Sequence, residues 1–371
     1  MNQPIQNVVQ TITANCQDCY RCVRACPVKA IKIADGQAHI EDELCIHCGT
    51  CVKNCPQQAK ITVSELDTVR KMLADGGPVA VSVAPAFAAL FGGWHSSRLP
   101  AALRLLGFTH VSETAEGALQ VSEKTLQKKQ HASICTACPA VVYLIEKYHP
   151  EYLDSLIPVT SPMVLHGRML KKRYGQDCRV VFIGPCAAKK QEAKRPENRD
   201  AIDAVLTFGE LLQWLEEENI KLANCSESGF ESYGDLSSAR LFPIQGGMLK
   251  TCGISGDNTQ TDILHISGAE QVKEMLTLPP EQWDYQIIEA LFCIDGCING
   301  PCYPADTGDS VLARKNRVID YAKKAPVHPD PLDYEDVNSS GSFSDAEAVY
   351  LATVDEDAIN SVYEKTGKSN P

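Results

Sequence analysis

Eight cysteines near the start of the chain fall into two copies of one frame: Cys16, Cys19, Cys22 and Cys26, then Cys45, Cys48, Cys51 and Cys55. In each copy three cysteines stand three apart, and the fourth precedes a proline, Pro27 or Pro56. Soft thiolates at this spacing wrap a cubane iron–sulfur cluster, and the Cys-Pro cysteine ligates the cluster of the other copy. The pattern therefore assigns Cys16, Cys19, Cys22 and Cys55 to one [4Fe–4S] cluster, and Cys45, Cys48, Cys51 and Cys26 to a second. Disulfides and zinc are the competing uses of cysteine. Disulfides need an oxidising compartment, and zinc sites pair C-x-x-C ligands without the trailing Cys-Pro.

Three later segments hold further cysteines: Ile134 to Ala140 around Cys135 and Cys138, Gly184 to Glu192 around Cys186, and Glu289 to Gly300 around Cys293 and Cys297. Each alone is a weak motif; in this order behind a two-cluster module they are specific. Lys189 follows Cys186 by three, which puts both on one face where a helix starts. Cys135, Cys178, Cys225 and Cys252 read as buried packing. Cys302, five residues beyond Cys297, is open to either use.

The elements that must position these residues follow from hydrophobic pattern. Residues 1–62 form the small two-cluster module, an internal repeat in which each frame precedes a short β-prone run, Ala30 to Ile33 and Ala59 to Thr62. So small a unit has little core of its own, and its clusters are expected to hold it folded. Residues 63–76 are a linker, with a helix over Ser64 to Ala74. From Gly77 the pattern becomes α/β: Val79 to Val83, Arg179 to Ile183 and Asp203 to Thr207 are buried strands, and Gly209 to Leu215 is an amphipathic helix. Strands alternating with helices make parallel sheets, whose sites lie beyond the strands' carboxyl ends; Cys186 is at such an end. Residues 311–371 are a tail, polar over Asp333 to Ser344, then a helix over Asp345 to Lys365.

The chain has 371 residues, 17 cysteines and a formal net charge of −12. Met1 to Ala14 has neither the basic start nor the apolar run of a secretory signal. Abundant cysteine without export points to the cytoplasm, with thiolates as metal ligands. The negative charge argues against nucleic acid as a partner. The most apolar stretch, Pro78 to Trp94, is too short and too interrupted for a membrane span.

With its three later segments behind the double cysteine frame, the chain resembles the [FeFe]-hydrogenases over residues 1 to about 310, with a bacterial ferredoxin-like module in front. The resemblance implies a small α+β 2[4Fe–4S] domain followed by a two-lobed α/β hydrogenase domain, 77–310, of parallel sheets flanked by helices. It implies an H-cluster: a [4Fe–4S] cubane on Cys138, Cys186, Cys293 and Cys297, joined through Cys297 to a diiron unit bearing CO, CN⁻ and azadithiolate. Lys189 would donate to one cyanide and Glu192 would pair with Lys189. Ala84 and Pro85 would contact the other cyanide, and Ser161, Pro162 and Met163 would line the pocket. The partners implied are H₂, protons and an electron-transfer protein such as ferredoxin, or a signalling protein. A further cysteine-rich module would follow near Pro371 in sensory relatives.

The chain departs from that pattern where protons are handled. The family's proton-donating cysteine is Ala137, and its relay serine falls at Ile157. Of the family's paired glutamates, Glu123 is the nearest match. Two pocket methionines are Gly184 and Leu291. A methyl group cannot relay a proton, so the reading is reversible H₂ chemistry made slow, as in the sensory branch of the family. Two others stand beside it: an iron–sulfur assembly protein without the diiron unit, and a pure electron-transfer or redox-signalling protein. No Gly-rich dinucleotide fingerprint is present.

Overall fold

The computed structural model describes residues 8–254, 262–304, 308–324 and 328–345. The module contains β1 (Val9–Thr11), α1 (Arg21–Ala25), β2 (Ile31–Ala34), β3 (Gln37–Ile40), α2 (Thr50–Lys53) and β4 (Lys60–Thr62). β2 pairs antiparallel with β3, and β1 with β4. The sequence repeat is also a backbone repeat. Asp18 and His47, Tyr20 and Gly49, and Lys29 and Gln58 hold equivalent places in the two frames, and all six have positive φ. That conformation is costly for non-glycine residues. Here it turns the chain tightly enough for cysteines three apart to face one centre. Lys60 is buried, and its ammonium donates to the carbonyl of Ala38 at 2.6 Å and to the Thr11 hydroxyl, tying the two strand pairs together. β1 and β3 are too short and too polar to be legible in the sequence.

α3 (Leu66–Ala74) leads into the large domain, where β5 (Val79–Val83), α4 (Phe87–Leu90), α5 (Leu99–Leu105), β6 (His110–Glu113), α6 (Ala115–Lys128), β7 (Ser133–Ile134), α7 (Pro139–Tyr148) and α8 (Pro162–Tyr174) follow. Next come β8 (Arg179–Gly184), α9 (Ala188–Lys194), β9 (Ala204–Thr207), α10 (Phe208–Glu217), α11 (Gly247–Thr251), β10 (Ile263–Ser267), α12 (Ala269–Met275), β11 (Ile287–Leu291) and α13 (Val311–Ala322). One sheet has the order β6-β5-β8-β9, the other β10-β11-β7, and every neighbouring pair in both is parallel. β5 and β9 are buried at every residue, as strands covered on both faces must be. The strands read from sequence occur within a residue of their expected bounds. The second sheet was not anticipated, because β7 is two residues long and β10 is half-polar.

The module does not rest on its clusters alone, contrary to expectation. Cys22, Val28, Ile31 and Ile46 share one apolar core with Ile134, Val141, Leu144 and Ile288 of the second lobe. Lys147 donates to the carbonyls of Glu43 at 3.0 Å and Cys45 at 2.8 Å, and Tyr148 to that of Leu44 at 2.6 Å. Lys53 reaches the carbonyl of Asn299 at 2.7 Å, beside Cys297. Gly49 packs so closely that a Cβ there would lie 2.6 Å from Cγ of Pro301. Asp333 to Ser344 is mostly turn and loop. The helix expected over Asp345 to Lys365 falls, beyond Asp345, outside the described residues. Among the described residues no helix is long and apolar enough to cross a membrane.

Gly49→Ala adds a methyl group to this contact and a side chain to a left-handed backbone. It is expected to lower stability by roughly 1–3 kcal/mol, read as a lower thermal midpoint in the cluster absorbance. An unchanged midpoint would mean that the module–domain contact yields freely.

Candidate active site

The ends of strands from both sheets converge on one cavity of about 100 Å³ with an almost wholly apolar lining. Cys138 caps α7, whose Pro139 starts the helix after the short β7. Cys186 follows β8, Cys293 follows β11, and Cys297 opens a 3₁₀ turn, Cys297–Asn299. All four border the cavity, and Cys48 of the module borders it as well. Burial pushes the Cys186 thiol up to about 12, with the Cys138 sulfur adding to the shift and the Lys189 ammonium opposing it. Burial, reinforced by the neighbouring sulfurs, drives Cys293 and Cys297 upward too. Four thiolates cannot share so dry a space unless a cationic core neutralises them. Four cysteine sulfurs around one apolar space are a donor set that fits an iron–sulfur cubane.

Lys189 projects from α9 into this cavity. Its Nζ donates to Glu192 Oε2 at 2.7 Å and to the carbonyl of Ala137 at 3.3 Å. The next residue anchors the helix: Lys190, 1% exposed, donates to the Val205 carbonyl at 2.6 Å and to Glu210 at 3.1 Å. Glu210 is itself locked in a capping box with Thr207. With Lys190 buried on one side, Lys189 is aimed at the other. Ala84, Pro85, Ala137, Pro162 and Met163 border the cavity. Ser161 and Glu192 instead border a smaller cavity of mixed polarity beside it, with Arg195 and Thr136. The Phe182 ring fills the space beside Gly184, and Leu291 lines the wall.

Two expected positions do not border the cavity. Ile157 packs in a separate apolar cluster with Cys135 and Val121, and Thr136 donates to its carbonyl at 3.2 Å. Glu123 sits on the exposed face of α6, so it is not a site carboxylate. The buried carboxylate of that helix is Glu116, two turns earlier. A further buried acid, Glu289 in β11, was not singled out as a site residue. Its two oxygens accept from the backbone N–H groups of Gly246 and Leu249 at 3.0 Å each. Burial raises its carboxyl to about 7, and it lies within electrostatic reach of Cys297, Cys135 and Cys252. A glutamate inside the apolar run Ile287 to Leu291 was the available signal.

In the module, Cys16, Cys19, Cys22 and Cys55 surround one small cavity. Cys26 lies in the electrostatic field of Cys45, Cys48 and Cys51 instead. Backbone N–H groups point at sulfur: Ala30 to Cys26 at 3.3 Å, His47 to Cys45 at 3.3 Å and Ala59 to Cys55 at 3.2 Å. Such donors favour thiolate. The first set is partly exposed at Cys19, whereas Cys48 of the second reaches the large cavity and lies near Cys293.

Residues 77–301 match the family described as the iron only hydrogenase large subunit, C-terminal domain, and residues 15–60 match the 4Fe-4S dicluster domain. The chain is 26% identical over 356 residues to the NADP-reducing hydrogenase subunit HndD of Solidesulfovibrio fructosivorans, covering 78% of this chain and 61% of that one. It is 28% identical over 364 residues to iron hydrogenase 1 of Clostridium pasteurianum, covering 78% and 63%. The chain thus spans about three-fifths of the length of these two relatives. A cytosolic Fe-S cluster assembly factor, narfl of Danio rerio, is 32% identical over 178 residues, covering 39% and 43%. A variant of the [FeFe]-hydrogenase HydA1 from Chlamydomonas reinhardtii shares the fold, with a TM-score of 0.58 and 18% identity over 77% of this chain and all of that one.

The raised Glu289 carboxyl makes stability pH-dependent with a definite sign. Between the ordinary carboxylic value of 4.5 and about 7, the folded chain keeps a proton that the unfolded chain has released. This group's contribution therefore falls as pH rises through that window, by up to about 1.4 kcal/mol per unit, and levels off above it. Urea titrations from pH 5.5 to 8 are expected to show this loss in the wild type and not in Glu289→Gln. Equal slopes in both would place the titration elsewhere.

Proposed function

The chain belongs to the iron-only hydrogenase large-subunit family, and from that premise we propose that it interconverts protons, electrons and H₂ slowly, in the service of H₂ sensing. The observation that carries this reading is the meeting of Cys138, Cys186, Cys293, Cys297 and Lys189 in one apolar cavity where Ala137 occupies the relay position. The four cysteines would hold the cubane of an H-cluster, with Cys297 bridging to the diiron unit. When bound, that cofactor supplies the two-electron redox chemistry. Everything else falls to the chain. Lys189, held by Glu192 and the Ala137 carbonyl, presents a cation in a dry space, where a charge-assisted hydrogen bond to an anionic diatomic ligand is strong. Ala84, Pro85, Pro162 and Met163 exclude water. Glu289 holds or releases a proton near neutral pH on the Cys297 side.

The module cysteines would ligate two [4Fe–4S] clusters in the crossed arrangement. Their two ligand sets stand in series between the exposed Cys19 and the cavity, so an electron carrier or a signalling protein would dock at the Cys19 end. The cytoplasm is the compartment that suits unpaired thiols. At position 137 a methyl group replaces a proton donor. General acid–base groups contribute roughly 10²–10⁴ in rate, which is the expected deficit. The likeness to an iron–sulfur assembly factor supports a second reading, in which the cubane is kept without the diiron unit.

An infrared spectrum of the matured protein separates the two. Sharp metal–CO and CN⁻ bands that change under H₂ are expected; intact four-iron clusters with no such bands would leave the assembly or electron-transfer reading. Ala137→Cys puts a thiol on the cavity wall and is expected to raise H₂ evolution by at least tenfold. No gain, with unchanged bands, would mean that position 137 does not limit turnover.

A further inference from the structure

Away from Ala137, the described residues contain an almost unbroken line of buried polar side chains running from the cavity wall outward. Thr114 borders the cavity. Its hydroxyl and that of Ser82 share a hydrogen bond of 2.6 Å, and the Ser82 hydroxyl meets Nδ1 of His166 at 2.7 Å. Nε2 of His166 faces Oε2 of Glu116 at 3.6 Å, and neither of these two buried atoms has another hydrogen-bond partner. Oε1 of Glu116 accepts from the Tyr334 hydroxyl at 3.2 Å and from Arg173. Tyr334 lies beneath Lys172, whose side chain is 38% exposed. Ser82 and His166 are fully buried, and Thr114 and Glu116 are 3% exposed.

We propose that Thr114, Ser82, His166 and Glu116 are a proton relay to the cavity, replacing the one that Ala137 and Ile157 do not provide. The proposal rests on the hydrogenase reading for its proton acceptor. The Tyr334 hydroxyl gives its proton to Glu116 Oε1 and regains one from solvent; rotation of the carboxyl group carries that proton to His166 Nε2 as the Nδ1 proton passes to Ser82. The Ser82 proton moves to Thr114, and Thr114 releases its own into the cavity. One proton is transferred, Glu116 returns to carboxylate, and tautomer exchange and hydroxyl rotation reset the line.

The imidazole suits this role. Relay needs a neutral ring with one donor and one acceptor nitrogen. Burial lowers the pKa of His166, and among the charged groups facing it Arg173 adds to that effect while Glu116 and Glu113 oppose it. Glu113 is engaged by Arg240, at 2.6 and 2.9 Å, and takes no part. Helix packing fixes the one long step. Gly117 lies so close to α8 that a Cβ there would stand 2.6 Å from the His166 Cβ, which brings the neighbouring Glu116 against the ring. The 3.6 Å separation is slightly wider than a hydrogen bond, so transfer across it needs a small closure.

The test uses the full chain in two states. In matured protein, Ser82→Ala and the near-isosteric Thr114→Val are expected to cut H₂ evolution at least tenfold, raise the solvent isotope effect and flatten the pH profile. The CO and CN⁻ bands should stay in place, and Ser82→Thr should restore the rate. In protein carrying only its four-iron clusters, NMR should find exchange of the His166 ring N–H with D₂O slowed at least tenfold by Glu116→Gln. Unchanged rates and unchanged exchange would overturn the relay. Absent infrared bands with slowed ring exchange would instead sink the hydrogenase reading and leave the proton line standing.

Discussion

The rest of this structure depends on the cost of gathering thiols in a place without water. Burial and mutual repulsion push the cysteines around the large cavity far from ionisation. They can act as thiolates only against compensating positive charge, and Lys189 is the one cation of the protein that borders the cavity among the described residues. An apolar lining then serves two ends. It makes a cationic iron core the favourable occupant, and it strengthens each remaining hydrogen bond to that occupant. The sheets supply rigidity: β8 and β11, which lead into Cys186 and Cys293, are inner strands held from both sides.

The same constraint explains how the small module is attached. Its second cysteine frame must come close to the cavity without admitting water. Gly49 lets the backbone press on Pro301, Lys53 and Lys147 close the polar edges, and a continuous apolar core runs underneath. The module is therefore a wall of the site as well as a neighbour of it: Cys48 lines the cavity alongside the four cysteines of the large domain.

Buried polar side chains follow a different rule from the cysteines. The wall that carries Ala137 is apolar, with Ile157 behind it in a packed cluster. Polar groups occur instead on the opposite sheet, where Ser82 and Thr114 at the ends of β5 and β6 meet His166 of α8, and on β11, where backbone amides hold Glu289. Each of these groups is buried and nearly satisfied, so each is stable at its place. None interrupts the dry surface on which the thiols depend.

The sequence by itself marked out the cysteines and their frame. Cysteines three apart, a lysine three beyond Cys186 and runs such as Val79 to Val83 are local patterns, governed by the reach of a turn or by burial on both faces of a strand. The parallel α/β class and the strands of the first sheet were legible for that reason. Tertiary structure alone decided what distant segments do to one another. The pairing of β11 with β7 and β10, the approach of Cys48 to Cys293, and the facing of His166 with Glu116 join residues far apart in the chain. Glu123 and Glu116 look alike in the sequence, and only helix packing exposes one and buries the other. Whether an acid keeps its proton depends on the water removed around it, and that is a property of the assembled fold and not of the residue's neighbours in the chain.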